Sequence, residues 1–81
     1  MKIVEVIWVD AETLGDSTWQ DIEEIKQRAK DNPPVMRTVG FVLHESDTHI
    51  SVTDSLGENE CGHMTKIPIG MVTECKVLTS D

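Results

Sequence analysis

Hydrophobic and polar positions alternate with two different periods along this chain. Residues 2–9, KIVEVIWV, are rich in β-branched side chains and too short for an ordinary helix, which predicts a first strand within 1–10. Both faces of that strand are apolar: Ile3, Ile7 and Val9 on one, Val4, Val6 and Trp8 on the other. A strand of this kind is expected to be covered twice, by the element that follows or by another subunit. Val4, Val6 and Trp8 are the residues expected at such an interface, with Trp8 as the anchor, because tryptophan is over-represented at interface centres.

The period then changes. Residues 17–30, STWQDIEEIKQRAK, predict a helix, with Ser17 and Gln20 at capping-box spacing. At 100° per residue Trp19, Ile22, Ile25 and Ala29 fall within an arc of about 120°, which predicts one buried stripe. Asp21, Glu23 and Glu24 occupy the early turns and Lys26, Arg28 and Lys30 the late ones, the order the helix dipole favours. The segment DNPP then stops the helix, since a proline disfavours helical geometry in the residue before it and has no N–H to donate.

From Val35 the alternation is that of strands. VMRTVGFVLH and HISVTDS are expected to pair across a four-residue loop, ESDT, with His44 opposite His49, Leu43 opposite Ile50 and Phe41 opposite Val52. This register gathers Phe41, Leu43, Ile50 and Val52 on an inner face and leaves both imidazoles on a polar outer one. Gly40 suits a sharp bend. LGENECGHM reads as an acidic loop, and TKIPIGMVTECKVL as two short strands linked tightly at Pro68, Ile69 and Gly70. The expected class is therefore α+β, mainly β, in one domain: a first strand in 1–10, a helix over 17–30, and a strongly bent antiparallel four-stranded meander over 35–78.

Composition narrows the functions open to such a domain. At 81 residues the chain buries only about 60–65% of its unfolded surface, so self-association would help it. Fifteen acids against seven bases give a net charge of −8, which repels phosphate backbones and disfavours nucleic acid as a partner. No apolar run approaches the ~18–20 residues of a membrane span, and Glu5 interrupts the first apolar stretch, so neither membrane nor export is expected. Two cysteines in such a chain point to reduced thiols in a cytoplasm.

Candidate chemistry is sparse. His44 and His49 side by side on a hairpin could share an ion, and Cys61 and His63 in CGH could complete a tetrahedral zinc site. Nucleophilic catalysis is disfavoured because Glu58 and Glu60 lie near Cys61 and Glu74 precedes Cys75, which works against each thiolate. A phosphate-bearing ligand would need a base in a pocket, and Arg37 and Lys66 are the candidates.

The hairpin TVGFVLHESDTHISVTDSL, followed by KIPIGMVTECKVL, resembles the Sm-like, or more broadly SH3-like, small barrel over roughly residues 17–78. That resemblance implies a barrel with the first strand as an addition at its front. The chain lacks the asparagine and R-G nucleotide-contacting signatures of RNA-binding Sm proteins, with Asp54 and Ile69–Gly70 in the comparable regions. WVD at 8–10 and IPIG at 67–70 are similar to segments of short proteins encoded by tailed bacteriophages, which implies an accessory role in a host bacterial cytoplasm. The expected function is a non-enzymatic binding protein, homo-oligomeric, that engages a host protein or a small, nucleotide-like ligand and so antagonises host defence. The alternatives are a zinc protein using His44, His49, Cys61 and His63, and Sm-like RNA binding.

Overall fold

A computed structural model describes residues 1–79. Strand β1 is Ile3–Val9, helix α1 Ile22–Ala29, β2 Val35–Glu45, β3 His49–Thr53, β4 Met64–Pro68 and β5 Val72–Thr79, with a 3-10 turn, η1, over Ile69–Met71 between the last two. The strands form one antiparallel sheet in the order β4-β3-β2-β1-β5. The chain is thus mainly β with one helix, as its alternation predicts. It is not a meander with a strand added in front, because β1 lies between β2 and β5. The apolar character of both β1 faces suits that position, hydrogen-bonded along both sides. Strands β4 and β5 remain at the two edges without pairing, so the sheet is open.

Cross-strand partners share a face, so the registers define what lies inside. Val4, Val6 and Trp8 stand opposite Gly40, Thr38 and Met36, and Ile50 stands opposite Ile67. Val4, Val6, Ile50, Val52 and Ile67 are the core, each at most 2% exposed, with Trp8, Val42 and Val72 packed against them. The half-buried indole N–H of Trp8 donates to Thr38 Oγ1 at 3.0 Å, which satisfies both polar groups. At Gly40 β2 passes close to β3: a Cβ there would lie 2.6 Å from the Thr53 carbonyl oxygen. Only glycine allows the sheet to curl that tightly.

The β2–β3 hairpin departs from the expected register. The Ser46 N–H donates to the His49 carbonyl at 3.0 Å, while Ser46 Oγ accepts from the Thr48 N–H at 3.2 Å. A serine hydroxyl that closes its own turn makes a tighter loop than the four residues expected. Glu45 therefore faces Ile50, and a bulge between Val42 and His44 returns one residue, so that Val42 faces Val52 and Phe41 faces Thr53. Ile50 and Val52 point inward as expected. Phe41 lies on the outer face instead, and Leu43, in the bulge, is 42% exposed.

The helix differs more. It begins at Ile22, not at 17, because Asp21 caps it by accepting from the Glu24 N–H at 3.1 Å. The residues before it are taken up by a local turn in which Asp16 Oδ1 accepts from the N–H and the hydroxyl of Thr18, at 2.8 and 2.6 Å. Gly15, at φ 104°, turns the chain into it, in a conformation that favours glycine. The expected buried stripe is not buried: Trp19 is 100% exposed and Ile22 66%. Residues 11–33 form an arm that leaves the end of the β1–β2 ladder, whose last bond runs from the Asp10 N–H to the Pro34 carbonyl at 3.0 Å. The molecule measures 52 × 24 × 19 Å with a radius of gyration of 16.7 Å, against about 12 Å for a globular chain of this length.

Candidate functional site

Two surfaces hold the residues with functional potential. The first is the outer face of the sheet near the β2–β3 turn. Because of the bulge, His44 stands opposite Ser51, and Ser51 stands opposite Lys66, in one cross-strand row. His49 precedes that row by one step on the same face, and its ring lies 5.0 Å from that of His44, tilted by 31°. Thr48 Oγ1 bonds His49 Nδ1 at 2.7 Å, which fixes the orientation of that ring. The structure thus brings the two histidines together, in a patch with one lysine and one small hydroxyl.

Cys61 and His63 do not join them. The LGENECGH segment is a continuation of the β3–β4 hairpin: Asp54 bonds the backbone of His63, Gly62 that of Ser55, and Leu56 bridges Cys61. At ~3.4 Å per residue this puts His63 roughly 17 Å and Cys61 roughly 24 Å along the ladder from His49. His63 is instead fully exposed, with Nδ1 3.8 Å from Asp54 Oδ2. The four-residue zinc set is therefore split between the two ends of β3. Among the described residues no group of three or more His, Cys, Asp or Glu converges.

Arg37 and Lys66 share the outer face but not a pocket. Arg37 is on the β1–β2 row with Ile7, where its guanidinium lies 3.9 Å from Glu5, seven residues along β2 from the row that holds Lys66. The bulge takes up one of the seven, which leaves roughly 20 Å, too far for one phosphate. Cys61 and Cys75 are both exposed thiols. Val4 and Val6 lie wholly inside the chain's own core, not at a subunit interface, and Trp8 is half-buried against the same core. A single parity decides this: the face of β1 that was expected to meet another subunit is the face the sheet curls around.

The second surface is the arm. Leu14, Trp19, Gln20, Ile22 and Ile25 line an open groove of ≈360 Å³, in which four of five side chains are apolar. Leu14 is 43% and Trp19 100% exposed. Asp21, Glu23 and Glu24 sit beside it at the helix start, and Lys26 pairs with Glu23 at 3.4 Å. The 3.6-residue stripe at Trp19, Ile22 and Ile25 is visible in the sequence, which predicts it in the core. The stretches on both sides, 10–18 and 30–34, hold Leu14 as their one large aliphatic side chain, and they are the signal that the helix stands off the sheet.

No helix among the described residues is long and apolar enough to cross a membrane. No protein-family model matches the chain, and neither the curated proteins nor the solved structures gave a match.

Proposed function

We propose that this chain is a non-enzymatic binding protein that acts by occupancy, anchoring a protein surface with the apolar arm. The observation that carries the reading is Trp19. A fully exposed indole, flanked by Leu14, Ile22 and Ile25, is an apolar cluster of the kind that marks interaction sites on soluble proteins. Tryptophan in the middle of such a cluster is the residue type that most often dominates binding energy. The separation of Arg37 from Lys66 favours a protein over a nucleotide-like ligand, and the −8 charge works against RNA. The one-turn link η1 between the two edge strands supports the sheet being an opened relative of a small barrel.

A benzophenone amino acid placed at Ser17, next to the groove, tests the reading. Irradiation in the native cell is expected to give a covalent adduct with a protein, and Trp19→Ser is expected to abolish it. An adduct pattern that is unchanged by Trp19→Ser, or no adduct at all, refutes an anchor at Trp19.

A second reading rests on the histidine pair. Two imidazoles 5.0 Å apart can share one divalent ion with water in the remaining positions. A site of two protein ligands is weak, which makes it an accessory feature of the outer face.

A further inference from the structure

Resting on that reading, we infer that the surface the arm covers is the outer sheet face of a second copy of this chain, with the contact made reciprocally in a two-fold dimer. The argument begins with area. A folded monomer of 9.1 kDa exposes about 4,900 Å² by the usual scaling with mass. This chain exposes 6293 Å². The excess is about 1,400 Å² per chain, or about 2,800 Å² for a pair, which lies within the ~2,000–5,000 Å² that obligate homodimers bury.

The chain also carries both halves of the contact. Ile3, Ile7, Val9, Val35, Val39 and Phe41 share the outer face of β1 and β2, with Val35 68% and Val39 51% exposed. Ile3, Ile7, Val9 and Phe41 are half-buried, and the arm leaves the sheet at the Asp10–Pro34 end of the ladder. Four arm side chains, at no more than ~250 Å² each, cannot absorb 1,400 Å² by meeting their own copies. Two arm-on-face contacts, each involving both surfaces, can. A contact that uses a different patch on each partner and is made twice about one axis gives a closed pair, not a fibre.

Charge agrees with this pairing. The outer sheet face carries Arg37, Lys66 and Lys76 against Glu5 and Glu74, so it is positive by one in a chain of −8. The arm brings Asp21, Glu23 and Glu24 on either side of Ile22, with Lys26 and Arg28 in the last turn of the same helix. The acids at the start of the helix therefore meet a face of net positive charge.

Light scattering of the full chain tests the inference. The expected mass is that of two chains at micromolar concentration. Trp19→Asp on the arm and Val39→Asp on the face are each expected to weaken the dimer by at least about thirtyfold. Val35→Asp, at the more exposed end of the same face, serves as a second face variant should Val39→Asp disturb the sheet. In Trp8→Phe, where Trp19 is the only indole, emission should move to shorter wavelength as concentration rises through the dimer transition. One-chain mass at the highest concentration overturns the inference, as does a dimer broken by the arm variant but by neither face variant. If the chain is monomeric while the Ser17 probe still captures a Trp19-dependent protein, only the second copy is refuted. If that capture fails as well, the anchor itself is refuted.

Discussion

Replacing Gly40 with alanine perturbs a point where β2 passes close to the backbone of β3. The added Cβ would lie 2.6 Å from the Thr53 carbonyl oxygen and 3.3 Å from Val52 Cβ. Ordinary contact begins near 3.4 Å, so β3 must move by roughly 0.8 Å, or β2 must uncurl. Neither is easy, because Val52 and Thr53 are 2% and 1% exposed, and Thr53 is held by a 2.9 Å bond to the His63 carbonyl. Overpacking of a filled site typically costs about 1–3 kcal/mol. For a chain of 81 residues, whose whole stability is of order 4–12 kcal/mol, this is a large fraction. At about 4–8 °C per kcal/mol the melting temperature should fall by roughly 5–20 °C. Thermal and urea melts at one fixed protein concentration measure it, since any self-association would make the midpoint depend on concentration. Gly70 is the control. A Cβ there meets nothing within 4 Å, so Gly70→Ala should leave stability unchanged or raise it by up to ~1 kcal/mol. If both variants melt within a degree of the parent, the close crossing at Gly40 is not a constraint on this fold.

Three further outcomes follow from the site geometry. Thr18 holds the Asp16 carboxylate through its hydroxyl and then its N–H, lowering its pKa below 3.8. The arm turn is therefore fully stabilised above that value and loosens as pH falls through the depressed one; an Asp16 carboxyl titrating at or above 3.8 by NMR would contradict this. Asp21→Ala removes the helix cap and should cost about 1 kcal/mol locally, seen as roughly fivefold faster amide exchange in α1 with the sheet amides unaffected. Zinc titration followed by NMR should move His44 and His49 together at one concentration, with His63 and Cys61 responding separately; a common response of all four would refute their separation along β3.

The sequence revealed the strands more reliably than their pairing, and the hairpin shows why. Pairing residues i and j share a face, so an error in register matters only through its parity. Near the turn the expected pairing was off by two, which leaves every face unchanged, and His44 and His49 are neighbours as expected although neither faces the other. Beyond the bulge the error is one, which inverts the face of Phe41. Nothing in HESDTH distinguishes a loop closed by Ser46 Oγ from a longer one, because both satisfy the same backbone groups with similar energy. Gly40 was legible as a bend because glycine inside an apolar strand has few other uses.

The place of β1 and the fate of Trp19 were beyond local pattern for a common reason. A period of 2 or 3.6 says that a face needs cover, and is silent on whether the cover comes from the same chain. For β1 the pattern predicts cover by the following element or by another subunit, yet Val4 and Val6 are covered by their own sheet. For the helix it predicts a place in the core, yet Trp19, Ile22 and Ile25 line a groove on the arm. The two cases have one origin: β5, nearly seventy positions later, pairs with β1, so the inner face of β1 is covered within its own sheet and no helix residue joins that core. With no helix residue in that core, the apolar side of the arm is left open. This is why the exposed indole, and not the histidine pair, is the strongest functional signal in the molecule.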